Sequence, residues 1–189
     1  HIPYDFSMNA IDGDSQFCSE VAIQGYQAVG MTLWPGRRPL AARGATRWLA
    51  DVGVRYFEVP MPADLEYDPA LRVVAEWRDA ETLFTGHIDN AILDALLERA
   101  EAGESLTANR WKLPPARLAK AASWVLNRGG RVGPIPEGMS ATTALKIQDL
   151  RERHARMRSQ VLISVEAFRS ENGYTPPYWA LVEMAREAA

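Results

Sequence analysis

The chain has 189 residues, of which 47% are hydrophobic and 24% charged, a composition that suits one good-sized globular domain or a core with a helical extension. Its net charge of −3 and isoelectric point near 5.7 argue against a general nucleic-acid binder, which would carry a basic excess. No apolar run approaches the ~18 residues of a membrane span. A single cysteine, Cys18, rules out an intrachain disulfide and leaves the compartment open between cytoplasm and a bacterial periplasm or cell envelope.

Residues 1–16 read as an extended segment and a loop, with Pro3 holding Ile2 extended and Asp12-Gly13-Asp14 signalling a turn. The two aspartates lack the third acidic position and distal glutamate of a calcium loop, so they are read as a turn. A helix follows from Cys18. Small and apolar residues at Val21, Ala22, Gly25 and Val29 define its inner face, Asp14 or Ser15 is its natural N-cap, and Gly30 ends it. Cys18 then lies in the first helical turn, where unpaired N–H groups and the positive end of the helix dipole favour a thiolate. A nucleophilic cysteine wants that placement. The competing reading is a buried, structural cysteine that behaves as a small hydrophobe.

Arg37, Arg38, Arg43 and Arg47 form a basic cluster, read as a solvated loop leading into a short helix over 45–51 rather than as an anion clamp. Residues 52–60 carry β-formers and predict a strand, and prolines punctuate a loop from 60 to 69. Residues 71–77 fit a strand or a helical turn, the pair Val73-Val74 favouring the strand, and Glu76 reads as a surface ion-pair member rather than a third catalytic group. From His87 the pattern is helical, with Ile88, Ile92, Leu93, Leu96 and Leu97 inward and Gly103 as the stop. A second helix over 116–127 turns Leu118, Ala122, Val125 and Leu126 inward. Residues 129–136 are the clearest linker; their glycines lack the lysine ending of a phosphate loop, so nucleotide binding is rejected. Ser140 caps the longest helix. Ile147, Leu150, His154, Met157, Val161, Val165 and Phe168 repeat along it as a heptad-like seam, which needs either the shorter helices or a second subunit as its cover. A homodimer through the 140–169 helix is one expectation. His154 on that stripe reads as packed and hydrogen-bonded. A last short helix spans 178–188.

The run Pro3-Tyr4-Asp5-Phe6, an acidic loop, and then Phe17-Cys18-Ser19-Glu20-Val21 together resemble the nucleophile segment of the YiiX/YebB-type permuted papain-like hydrolases, relatives of the NlpC-type cell-wall amidases. The later Val74-Ala75-Glu76-Trp77-Arg78 is similar to a stretch of longer members. The resemblance covers residues 1–30 and, more loosely, 52–82. It implies an α+β fold, with a permuted papain-like core over 1–82 in which the cysteine helix packs on a small antiparallel sheet, and it leaves 83–189 as a helical extension. It implies a cysteine hydrolase: Cys18 attacks the carbonyl of a cell-wall peptide or acyl-lipid amide and a thioester acyl-enzyme forms. No metal or cofactor is expected, since His1, His87 and His154 show no ligand spacing and the cysteine has no second one to pair with. Tyr4 and Ser19 then supply polar contacts near the thiol, and Glu20 orients a partner or complements the helix dipole. In that family the activating histidine lies upstream, on a strand well before the Tyr-Asp-Phe run, and His1 is too close to the run to match it. The chain is therefore read as the C-terminal portion of a longer protein. The alternative from another class is a helical interaction or dimerisation module with an inactive cysteine core.

Overall fold

The computed structural model describes residues 2–11, 13–33, 36, 38–39, 43–136 and 138–189, with backbone alone at 38, 39, 43 and 44. The protein is mostly helical, 61% helix against 2% strand. The expected α+β papain-like core with an antiparallel sheet is overturned. The only ladder among the described residues pairs β1 (Arg38–Pro39) antiparallel with β2 (Glu58–Val59), Arg38 opposite Val59 and Pro39 opposite Glu58. The physical reasons are local. Pro39 has no N–H to donate and Pro60 follows β2 at once, and both weaken strand pairing here. Upstream of β2 the amides of Arg55 and Tyr56 both donate to the Ser7 carbonyl, 2.9 and 3.0 Å away, instead of to a neighbouring strand. The expected strand over 71–77 forms no ladder, and residues 62–67 wind into a 3-10 helix where a plain loop was expected.

The chain folds as two compact units. The first combines residues 1–75 and 107–146. It holds α1 (Cys18–Ala28), α2 (Arg43–Asp51), the β1–β2 pair, α4 (Leu113–Arg128) and the start of α5 (Ala141–Asn172). Its core is Phe17, Leu33, Trp48, Val54, Val59, Ile135, Met139 and Leu145, all buried. Lys146 forms an ion pair with Asp51 at the end of α2. Ser140 caps α5 as the sequence predicts, its Oγ accepting from the Thr143 amide at 3.0 Å. Pro114 and Pro115 open α4 in its first turn, where the missing N–H costs nothing.

Two helix faces differ from expectation. On α1, Val21, Gly25 and Val29 are exposed, while Ser19 and Glu20 are buried. On α4, Leu118 and Val125 are exposed and the buried position is Ser123. A polar anchor decides the second case. Ser123 Oγ donates to the Ala119 carbonyl (2.8 Å) and accepts from the buried Ile135 amide (2.9 Å). The expected linker over 129–136 is thereby docked on α4, so closely that a Cβ at Gly133 would lie 2.4 Å from the Ser123 Cα.

The second unit combines residues 76–106 and 147–189, and contains α3 (Ala80–Glu101), α5 from Ile147 onward and α6 (Tyr178–Ala188). Asp79 caps α3 by accepting from the Thr82 amide at 2.7 Å, starting the helix about two turns before His87. Ile88, Ile92 and Leu96 are buried on α3 as predicted; Leu93 and Leu97 are exposed. The α5 seam is read correctly: Met157, Val161 and Val165 are buried. Within this unit α5 lies against α3, where Asp89 pairs with Arg158 at 3.1 Å and Phe84 lies under the Arg169 guanidinium at 4.7 Å. His154 sits 3.6 Å from Asp89 on that same line, packed as expected. Arg186 clasps Glu98 through two N–H groups at 2.9 and 2.5 Å, fixing α6 on α3. Among the described residues no helix is long and apolar enough to cross a membrane.

Candidate active site

The two sequence stretches that carry the resemblance lie side by side. Residues 3–5 run parallel to Gln16: the Asp5 amide donates to the Gln16 carbonyl at 2.9 Å, and the Gln16 amide to the Pro3 carbonyl at 3.0 Å. This bridge sets Tyr4 next to the start of α1. Asp5 keeps the segment in shape. Its buried carboxylate accepts from the Ser7 amide (2.8 Å), the Ser7 hydroxyl (2.7 Å) and the Asn9 amide (2.6 Å), an Asx-type turn over residues 5–9.

Phe17 caps α1, displacing the expected Asp14 or Ser15, because its ring fills the core (1% exposed) and its amide is held by Glu20 Oε2 at 3.1 Å. Cys18 is therefore the first helical residue, and its side chain is exposed. Glu20 is buried and accepts from the Phe17 amide, the returning half of a capping arrangement at the helix start. Ser19 departs from its expected place beside the thiol. It is buried, and its hydroxyl donates to the Pro60 carbonyl at 2.7 Å, tying α1 to the end of β2. The amides of Cys18 and Ser19 donate to no group among the described residues, which leaves two N–H groups at the positive end of the helix.

Tyr4 lies within electrostatic reach of Cys18. Its phenol is held above the ordinary value of 10.0, first by partial burial and then by the negative charge that the neighbouring Cys18 and Asp5 carry when ionised. Its ring leans on Phe6, centroids 4.9 Å apart at 60°. The pair forms a wall shared by two open clefts of about 610 Å³ each. One continues over Arg55, Met139 and Thr143; the other, more apolar, continues over Arg131, Val132 and Pro136. Cys18 lines neither cleft.

Of the four residues expected at the site, Tyr4 is set beside the segment leading into the Cys18 helix by the Gln16 bridge, Ser19 bonds the Pro60 carbonyl and Glu20 bonds the Phe17 amide. Asp5 was not singled out from sequence, although an aspartate two residues before a serine is an Asx-turn signal. Among the described residues of this unit there is no histidine, since His87 and His154 belong to the second unit. His1, Asp12, Arg37 and the side chains of Arg38 and Arg43 lie outside the described residues, so the basic cluster and the acidic turn are described only in part. No three His, Cys, Asp or Glu side chains among the described residues converge as metal ligands would. No family model matches the chain, and no curated protein or solved structure matches it.

Proposed function

We propose that the chain is a cysteine-nucleophile hydrolase of amide substrates acting through Cys18. The observation that carries this reading is the exposed thiol at the first position of α1, with the Cys18 and Ser19 amides donating to no group among the described residues and Tyr4 bridged to Gln16 just before the helix. Sγ attacks the substrate carbonyl carbon, and the C=O π bond opens onto oxygen. The oxyanion is held by the Cys18 amide. The tetrahedral adduct collapses with cleavage of the C–N bond, the amine leaves with the proton taken from the thiol, and water then hydrolyses the thioester. In the permuted papain-like family a histidine carries that proton, and none is present among the described residues of this unit. Resemblance to the permuted papain-like hydrolases supports cell-wall peptides or acyl-lipid amides as the substrate class. Against the helical-module alternative, Cys18 is exposed while Met157, Val161 and Val165 of the α5 seam are buried.

The test uses an activated acyl ester, whose leaving group needs no protonation. Incubation with p-nitrophenyl acyl esters should yield a single acyl adduct by intact mass, removable with hydroxylamine and lost in Cys18→Ala. Acylation no faster than that of a free small thiol under the same conditions would sink the proposal.

A further inference from the structure

The segment joining α3 to what precedes it is unusual for a chain that otherwise folds as helices. Residues 72–79 are all exposed and belong to no helix or strand, with Val73 at 62%, Val74 at 88% and Trp77 at 88% exposure. None of the described hydrogen bonds engages the backbone of residues 72–78. Yet the sequence alternates with the period of a strand: Leu71, Val73, Ala75 and Trp77 on one side, Arg72, Val74, Glu76 and Arg78 on the other. A β-prone run with free backbone groups is a template for strand addition.

The charges decide what adds to it. In an antiparallel pairing of two copies centred on Val74, Arg72 of each copy stands opposite Glu76 of the other, and Leu71 opposite Trp77. Both favourable pairs occur twice, because the pairing is two-fold symmetric. Parallel in-register pairing would instead stack Arg72 on Arg72 and Glu76 on Glu76, which is unfavourable. Within one chain Glu76 already meets Arg78 at 2.7 Å on the same side of the run, so the carboxylate would sit between two guanidinium groups. We propose that residues 71–77 are a homodimerisation strand, pairing antiparallel with the same segment of a second copy about Val74. The contact is small and a two-stranded ribbon is marginal by itself, so a weak, concentration-dependent dimer is expected.

Sedimentation equilibrium of the 189-residue chain from about 1 µM to 1 mM reads this directly. The wild type should pass from monomer to dimer. Arg72→Glu or Glu76→Arg alone places like charges opposite each other twice per dimer, and each should weaken association about tenfold. The combined exchange restores opposite charges and should return the affinity to within about threefold of wild type. These are exposed positions, so the variants leave both cores untouched. A monomer throughout the range would overturn the proposal, as would a dimer indifferent to the single reversals or a double variant no better than the singles.

Discussion

Removing the Asp5 carboxylate tests whether the segment beside Cys18 is held as described. Asp5 is 6% exposed, and accepts two backbone N–H bonds and one hydroxyl bond. Bonds to a charged acceptor contribute about 1.5–3 kcal/mol apiece, and the half-buried Ser7 and Asn9 amides put these two near the lower end. The Ser7 hydroxyl can turn to water and adds little. Asp5→Ala should therefore cost about 3 kcal/mol. Asp5→Asn should cost about half as much, since the amide oxygen keeps one N–H while its NH2 group confronts the other. With a urea m-value of about 2 kcal/mol/M, the alanine variant lowers the midpoint of the first unit by about 1.5 M. Hydrogen exchange read on a peptide covering residues 3–17 localises the loss, because the Asp5 and Gln16 amides are bonded across the same bridge. An alanine variant within about 0.5 kcal/mol of wild type would refute the reasoning, as would equal costs for alanine and asparagine.

Ser123→Ala deprives the buried Ile135 amide of its acceptor and should cost about 1–3 kcal/mol by urea melting, with faster exchange at Ile135. Gly133→Ala should cost more than Ser123→Ala, since its Cβ would meet backbone that cannot yield; a neutral Gly133→Ala would show that the loop is not docked on α4. In the second unit the Tyr178 hydroxyl donates to Asp94 at 2.7 Å, and its phenol is held above the ordinary 10.0 by that bond first, then by burial and the Asp94 charge. A raised folded-state value means this contribution is fully present below the unfolded value and is lost as pH rises through the folded one. The stability difference between wild type and Tyr178→Phe, measured by urea melts from pH 7 to 11, should hold steady up to about pH 10 and shrink above it. A difference that grows with pH would contradict the assigned donor.

The bounds of α6, the cap at Ser140 and the buried stripe of α5 are legible in the sequence, because each rests on chemistry within a few residues. Proline and glycine stop helices, a serine hydroxyl caps the amide three residues on, and a repeat at steps of three and four faces one neighbour wherever that neighbour comes from. The helix starting at Cys18 was readable for the same reason. Which side of a helix is buried was not. Ser123 beats Leu118 and Val125 for the inner face of α4 because a loop about a dozen residues away needs its hydroxyl, and Phe17 beats Asp14 as the cap of α1 because its ring is wanted in the core. The strands failed for a related reason: β-propensity marks a segment that fits a half-buried sheet, but a strand exists only where a partner offers hydrogen bonds in register. Residues 52–60 lend their amides to Ser7, and residues 71–77 find no partner within the described chain. Sequence therefore determined where the helices lie and that Cys18 opens one of them. Only tertiary contacts decided that Tyr4 lies beside the segment leading into α1 and that Ser19 turns inward, since these depend on the bridge between residues 3–5 and Gln16 and on the Pro60 carbonyl, which the local pattern around Cys18 cannot weigh.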